Sequence, residues 1–279
     1  MPLVSSREML RKAMREGYAV GAFNVENLEL AQAVVNAATK MRSPVMIQTT
    51  PTTLKYAPPE VFYGMISALA NQSDAPIALH LDHGSGLDLV RRCKAVGYTS
   101  LMIDGSKLSF EDTVALSRDA VALAGGVPVE AELGTVGGKE DAHEADILYT
   151  DPEKAREFVE RTGIASLAIA IGTAHGVYKG VPKLNLPLLE QIHARTSIPL
   201  VLHGSSGVPE DTIRACVKEG ICKVNYATDL RQTYTSVVRR WLLSNPDTFD
   251  PKSYGSAARE AVEQVVCDRM RLVGSEGKA

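Results

Sequence analysis

Short apolar segments recur along this chain in alternation with helix-patterned stretches, and nearly every segment ends in a polar side chain capable of chemistry. The eight candidates end at Asn24, after Val45-Met46-Ile47, at Asp82-His83, at Asp104, at Glu130-Ala131-Glu132, shortly before His175, at His203 and at Asn225. Apolar runs of about four to eight residues bounded by turn signals read as buried strands. Between them, apolar residues at helical spacing mark Ser5 to about Glu16, Asn27 to Met41, Pro58 to about Asn71, Leu87 to Val96 and Phe110 to Ala124. Further helices start at Asp151-Pro152 and run over Asp229 to Leu243 and about Ser256 to Leu272. Asp151 is a capping acid with proline at the first helical position, and Gly97 suits the left-handed residue that ends a helix. Strict strand-helix alternation predicts an α/β protein, a single (β/α)8 TIM barrel with an additional C-terminal helix, forming one domain over residues 1–279. A doubly wound sheet is the alternative, but it gathers chemistry at one crevice, whereas a barrel uses the C-terminal ends of all its strands.

Composition excludes several classes of function. A net charge of −3 and the lack of any basic run argue against nucleic acid as a partner. The first residues lack the apolar stretch of a signal peptide, and no later stretch approaches a membrane span, so a cytoplasmic protein without a membrane role is expected. Cys93, Cys216, Cys222 and Cys267 form no ligand-like spacing, which suits reduced, buried thiols.

In a barrel, the ends of strands three, six and seven share one rim, so His83, His175 and His203 can meet although they are far apart in sequence. Three neutral nitrogens with an open fourth position suit a catalytic Zn2+ that polarises a carbonyl. The competing reading is three unrelated loop histidines. Asp82, beside His83, is a candidate proton-transfer group. Strand alternation turns His80 to the opposite face from His83, as a core or supporting group, while His193 and His143 are expected at the surface. Asp104 and Glu132 end strands four and five, where carboxylates can bind a cation or serve as ion-pair partners inside the rim.

Gly204-Ser205-Ser206-Gly207 follows strand seven and Asn225-Tyr226-Ala227-Thr228 follows strand eight. Small and hydroxylated residues beside a helix N-terminus leave backbone N–H groups free to hold phosphate. The connection from Leu133 to Thr150 is long, polar and glycine-hinged, as befits a lid.

Together, His80-Leu81-Asp82-His83-Gly84, Met102-Ile103-Asp104-Gly105-Ser106, Val129-Glu130-Ala131-Glu132-Leu133-Gly134 with Gly137-Gly138, Ala170-Ile171-Gly172-Thr173-Ala174-His175-Gly176, Leu202-His203-Gly204 and Lys223-Val224-Asn225 resemble a class II, metal-dependent ketose-bisphosphate aldolase. The resemblance runs nearly end to end, including Ala22-Phe23-Asn24, and is greatest to tagatose-1,6-bisphosphate aldolases. It implies that His83, His175 and His203 hold Zn2+, with Asp104 and Glu132 as alternative or second-metal ligands. Asp82 would exchange a proton with the C4 oxygen, and Glu140 in the lid would move the proton on the dihydroxyacetone phosphate carbon. Asn24, Gly176, Gly204, Ser205, Ser206, Asn225, Tyr226, Ala227 and Thr228 would bind substrate, assisted by a monovalent cation, Na+ or K+, near the phosphate.

The implied reaction is reversible cleavage of D-tagatose 1,6-bisphosphate to dihydroxyacetone phosphate and D-glyceraldehyde 3-phosphate. Ala227 stands where fructose-bisphosphate-specific relatives commonly carry Asp, which favours the tagatose epimer. Lys252 stands where relatives often have an Arg that reaches the distal phosphate from a neighbouring subunit; lysine keeps the charge but loses the bidentate fork. Fructose 1,6-bisphosphate or another phosphorylated ketose is the alternative substrate, and a non-catalytic or partner-dependent subunit is the alternative of another class. The resemblance also implies a homodimer or homotetramer, with a companion subunit as a further partner.

Overall fold

The computed structural model describes the backbone of residues 2–140, 143–145 and 148–279, and side chains outside 138–147. Eight parallel strands close into a barrel: β1 (Val20–Asn24), β2 (Val45–Thr49), β3 (Ile77–Gly84), β4 (Ser100–Ile103), β5 (Val129–Leu133), β6 (Ser166–Ile169), β7 (Leu200–Leu202) and β8 (Ile221–Tyr226). Each pairs with its neighbours in sequence, and β8 closes on β1. Around them lie α1 (Ser6–Glu16), α2 (Leu28–Met41), α3 (Pro51–Tyr56), α4 (Pro59–Ala70), α5 (Leu87–Val96), α6 (Phe110–Ala124), α7 (Pro152–Thr162), α8 (Leu186–His193), α9 (Glu210–Lys218), α10 (Thr228–Ser244) and α11 (Pro251–Leu272).

Strand alternation divides the side chains into two populations. Leu79, Leu81, Leu101, Ile103, Ala131, Leu167, Ile169, Leu200, Leu202 and Val224 face outward into one continuous core under the helices. Burying a side chain of this size is worth about 1.5–3 kcal/mol, so this outer shell can hold the barrel together while its interior carries polar groups. Met9, Leu10 and Ala13 of α1 plug the N-terminal end against Val20, Ala22, Met46 and Ala78. Beside a small apolar layer of Met102, Ala168 and Val201 the interior is polar, with Asn24, Gln48, His80, Asp82, Glu130, Glu132, His203, Lys223 and Asn225 all buried.

One strand end breaks the alternation. His83 has φ of 48°, in the left-handed region, and the register with β4 shifts between Leu81 and Gly84. That turn swings His83 back over the barrel, so His80 and His83 both serve the interior and do not lie on opposite faces as alternation alone requires. Gly84 makes it possible, because a Cβ there would stand 2.2 Å from the Met102 carbonyl oxygen. Gly84→Ala is expected to cost about 1–3 kcal/mol, as forced overpacking does, and to lower activity by displacing His83. Denaturant unfolding checks it; unchanged stability would remove the steric argument.

Other differences from the sequence-based expectation have local causes. β6 ends at Ile169, two residues before the expected Ile171, because the Ala170 N–H turns to the Thr150 hydroxyl and the Ala170 carbonyl accepts from the Thr150 N–H. α11 starts at Pro251, five residues before Ser256, because Asp250 accepts from the Lys252 N–H and proline occupies the first turn. The connection after β5 holds a hairpin, Gly137–Glu140 with His143–Ala145, whose first strand runs parallel to Ala174–His175. All four cysteines are buried and free, and burial pushes the Cys93 and Cys216 thiols up to about 12, so neither supplies a reactive thiolate. Among the described residues, no helix is long and apolar enough to cross a membrane.

Candidate active site

The three histidines converge at the C-terminal mouth. One ring nitrogen from each of His83, His175 and His203 lies within 4.8 Å of the other two. His83 arrives on the left-handed turn, His203 directly after β7, and His175 on the short strand that pairs with Gly137–Gly138. For His83 and His203 the outer partners fix which nitrogens face the centre. His83 Nδ1 lies 2.9 Å from Asp104 Oδ2 and His203 Nε2 lies 2.8 Å from Glu130 Oε1, so His83 Nε2 and His203 Nδ1 turn inward, 2.8 Å apart. Imidazoles braced from behind by carboxylates, as His83 and His203 are, are the usual form of a zinc-ligand shell, and with a nitrogen of His175 they fit the ion that the sequence implies.

The surrounding carboxylates are differentiated. Burial opposes the charge on Asp104, yet His83 and the Ser106 N–H and hydroxyl side hold it well below the usual carboxylate range. Asp104 is therefore placed to brace His83. Glu132 is pushed up by burial; its Oε1 accepts from the Val136 N–H, and its Oε2 is buried without a hydrogen-bond partner. That orphaned oxygen makes Glu132 the more open of the two to a cation.

Asp82 lies at the end of β3, 1% exposed, at the base of the pocket. Its Oδ2 accepts from Asn24 Nδ2 at 2.9 Å and Gln48 Nε2 at 3.4 Å, and its Oδ1 from Asn225 Nδ2 at 3.2 Å. Three amide donors fix the carboxylate while leaving it facing the pocket. The opposite wall is made of Gly176, Gly204, Ser205, Ser206, Ala227 and Thr228. Gly204 has φ of 64°, and a Cβ on it would stand 2.6 Å from the Ala174 carbonyl oxygen, so the two loops touch backbone to backbone. Tyr178 ties them: its hydroxyl donates to the Gly204 carbonyl at 2.8 Å and accepts from the Ala174 N–H at 2.7 Å. The hydroxyl of Ser206 accepts from the Asp229 N–H, fastening the N-terminus of α10 to the same wall.

Two predicted substrate residues do not line this chain's pocket, which for Lys252 accords with a role toward a neighbouring copy. Tyr226 is buried in the outer shell, stacked on Phe23 at 5.6 Å, because strand alternation turns it away from the mouth that Asn225 faces. Lys252 lies at the start of α11 with 84% of its side chain exposed, paired with Asp250 at 2.8 Å, and does not line this chain's pocket. The side chains of Glu140 and His143 lie outside the described residues. His193 is at the surface, as expected. Sequence reasoning missed Gln48, Tyr178, Arg231 and Lys223. Arg231 lines the pocket, with its Nε donating to Glu26 at 2.6 Å. Its position one turn into the helix after the Asn225–Thr228 loop was the available signal.

A family model described as fructose-bisphosphate aldolase class-II matches residues 4–278. Among solved structures, the chain is similar to the YdjI aldolase from Escherichia coli K12, at 34% identity and a TM-score of 0.88, over 99% of both chains. A putative fructose-1,6-bisphosphate aldolase from Coccidioides immitis superposes with a TM-score of 0.89 at 30% identity, over 97% of this chain and 96% of that one. The fructose-bisphosphate aldolase of Campylobacter jejuni gives 0.85 at 25% identity, over 100% and 97%. With the barrel, the histidine cluster and a match over almost the whole chain, this protein belongs to the class II fructose-bisphosphate aldolase family and is a carbon–carbon lyase.

Proposed function

We propose that this protein is a zinc-dependent aldolase that reversibly cleaves D-tagatose 1,6-bisphosphate to dihydroxyacetone phosphate and D-glyceraldehyde 3-phosphate. The observation that carries the reading is the cluster of His83, His175 and His203 at the barrel mouth, with His175 of that cluster and Asp82 lining one pocket. His83, His175 and His203, with Glu132 in reserve, would hold the ion, which would supply a positive centre to polarise the ketone.

The chain's own groups do the rest. Asp82, held by Asn24, Gln48 and Asn225, takes the C4 hydroxyl proton as the C3–C4 bond breaks and returns it to the aldehyde oxygen in condensation. Glu140 is assigned the proton on the dihydroxyacetone phosphate carbon. Backbone N–H groups of the Gly204–Ser206 loop and the N-terminus of α10 hold phosphate, with Na+ or K+ beside it. Among the described residues lining the pocket, Arg231 brings the cationic side chain, and it is assigned to an anionic group of the substrate. Arg231→Ala is expected to raise KM about tenfold, the low end for a hydrogen bond to a charged group because the site is half-exposed, with kcat little changed. Steady-state kinetics check this, and an unchanged KM would remove Arg231 from the site.

Ala227 supports the tagatose epimer, since a methyl group lines the pocket at that position. The names of the Coccidioides and Campylobacter structures favour fructose 1,6-bisphosphate as the second reading. Comparing kcat/KM for the two epimers decides: an equal or higher value for fructose 1,6-bisphosphate overturns the tagatose assignment. Activity of the purified chain alone, lost on chelation and restored by zinc, separates the enzyme from a partner-dependent subunit. A homodimer or homotetramer is part of the reading, supported by exposed Leu242, Leu243 and Phe249 around α10 and α11, and a neighbouring copy's Lys252 would then meet the distal phosphate.

A further inference from the structure

Beneath the histidine cluster lies a fully buried ion pair that the reaction above does not use. The Lys223 ammonium, 0% exposed, is 2.9 Å from Glu130 Oε2 and 3.1 Å from Glu130 Oε1, and 3.4 Å from His80 Nε2. Its three N–H groups therefore have three acceptors. On the far side His80 Nδ1 meets the Ser100 hydroxyl at 2.7 Å, which also accepts from Ser6 of α1 at 2.8 Å. On the near side Glu130 Oε1 reaches His203 Nε2 at 2.8 Å. A continuous polar chain thus crosses the barrel from the α1 plug to an imidazole of the proposed metal site.

We infer that Lys223 is a positioning residue: by gripping both oxygens of Glu130 it aims that carboxylate at His203 Nε2–H and so keeps His203 Nδ1 turned to the metal. A lysine serving only to neutralise a buried acid could pair through one oxygen from any side. Here the ammonium sits under the carboxylate and holds its plane, leaving Oε1 facing the ring. His80 and Ser100 in turn fix the ammonium from below, so the aim of His203 is set by groups on β3, β4, β5 and β8, none of which touches substrate. Burying such a pair is costly relative to apolar residues of equal size, which sets a structural role and a positioning role apart experimentally.

The inference rests on the zinc reading, and the test separates the two. Zinc affinity is measured by chelator competition, Tm by unfolding, and ligand geometry by the visible absorption of the cobalt-substituted protein. Lys223→Met is expected to weaken zinc binding about 10–100-fold, the usual cost of losing a group that orients a ligand, and to lower Tm. The neutral pair Lys223→Met with Glu130→Gln is expected to recover Tm while zinc affinity stays at least about tenfold weak and the cobalt spectrum stays altered, because the amide is no longer gripped. Lys223→Gln, which keeps N–H donors, is expected to recover part of the affinity. Recovery of zinc affinity together with Tm in the double variant overturns the inference, as does wild-type zinc affinity in Lys223→Met. Wild-type protein that fails to hold zinc at all overturns the metal reading and this inference with it.

Discussion

His83→Ala is expected to leave the protein folded, without bound zinc and with cleavage at background. The loss of zinc affinity should exceed about 100-fold, since that is the upper end of what removing a mere outer partner costs and His83 contributes a ligand nitrogen itself. Asp104 would also lose the imidazole it braces. Residue 83 has a positive φ, which histidine tolerates better than alanine, so part of any stability loss reflects backbone strain and could be mistaken for the chemical effect. His83→Asn controls for this, because asparagine tolerates the left-handed region better than most residues. Metal content by elemental analysis and Tm check both variants. If His83→Asn is folded and still carries stoichiometric zinc, the histidine cluster is not the metal site.

Asp82→Ala is expected to give the complementary result: full zinc, with kcat reduced about 10²- to 10⁴-fold, the range typical of a lost general acid or base. Its partners explain the separation. Asp82 is hydrogen-bonded to Asn24, Gln48 and Asn225 and to none of the metal-facing nitrogens, so its removal leaves the ligand shell standing. It also leaves three amides short of an acceptor, at about 1–3 kcal/mol for an unsatisfied buried group, so some stability is lost. Solvent-proton exchange on dihydroxyacetone phosphate should persist, because that step is assigned to Glu140. A variant that loses zinc, or loses exchange along with cleavage, would mean that Asp82 does not act separately from the metal.

Most of the barrel and the identity of its mouth residues were legible in sequence for one reason. Nearly every strand is short, buried on its outer face and ended by a polar group, so the end of an apolar run marks the rim. Asp82, His203 and Asn225 follow directly from that pattern. Tyr226 shows its limit: proximity to the rim does not give facing, and alternation sends its ring into the shell beside Phe23.

The polar chain inside the barrel was the least legible part. Lys223 sits in a strand that reads as apolar, and Glu130 is separated from it by 93 residues. No local pattern signals that β5 and β8 face each other across a lumen. His80, expected to turn away from His83, ends up beneath the same site because a left-handed residue and a register shift reverse the facing of His83.

The sequence by itself determined the strand-helix alternation, and with it the barrel and the set of side chains at its rim, because periodicity and turn chemistry are local properties. Tertiary structure alone decided which of those side chains face one another, since barrel closure, the backbone turn at His83 and the buried Lys223–Glu130 pair depend on contacts between strands distant in sequence. The geometry of the proposed metal site belongs to the second group: a ring nitrogen is aimed by whatever braces the opposite edge of its ring, and here those braces come from other strands.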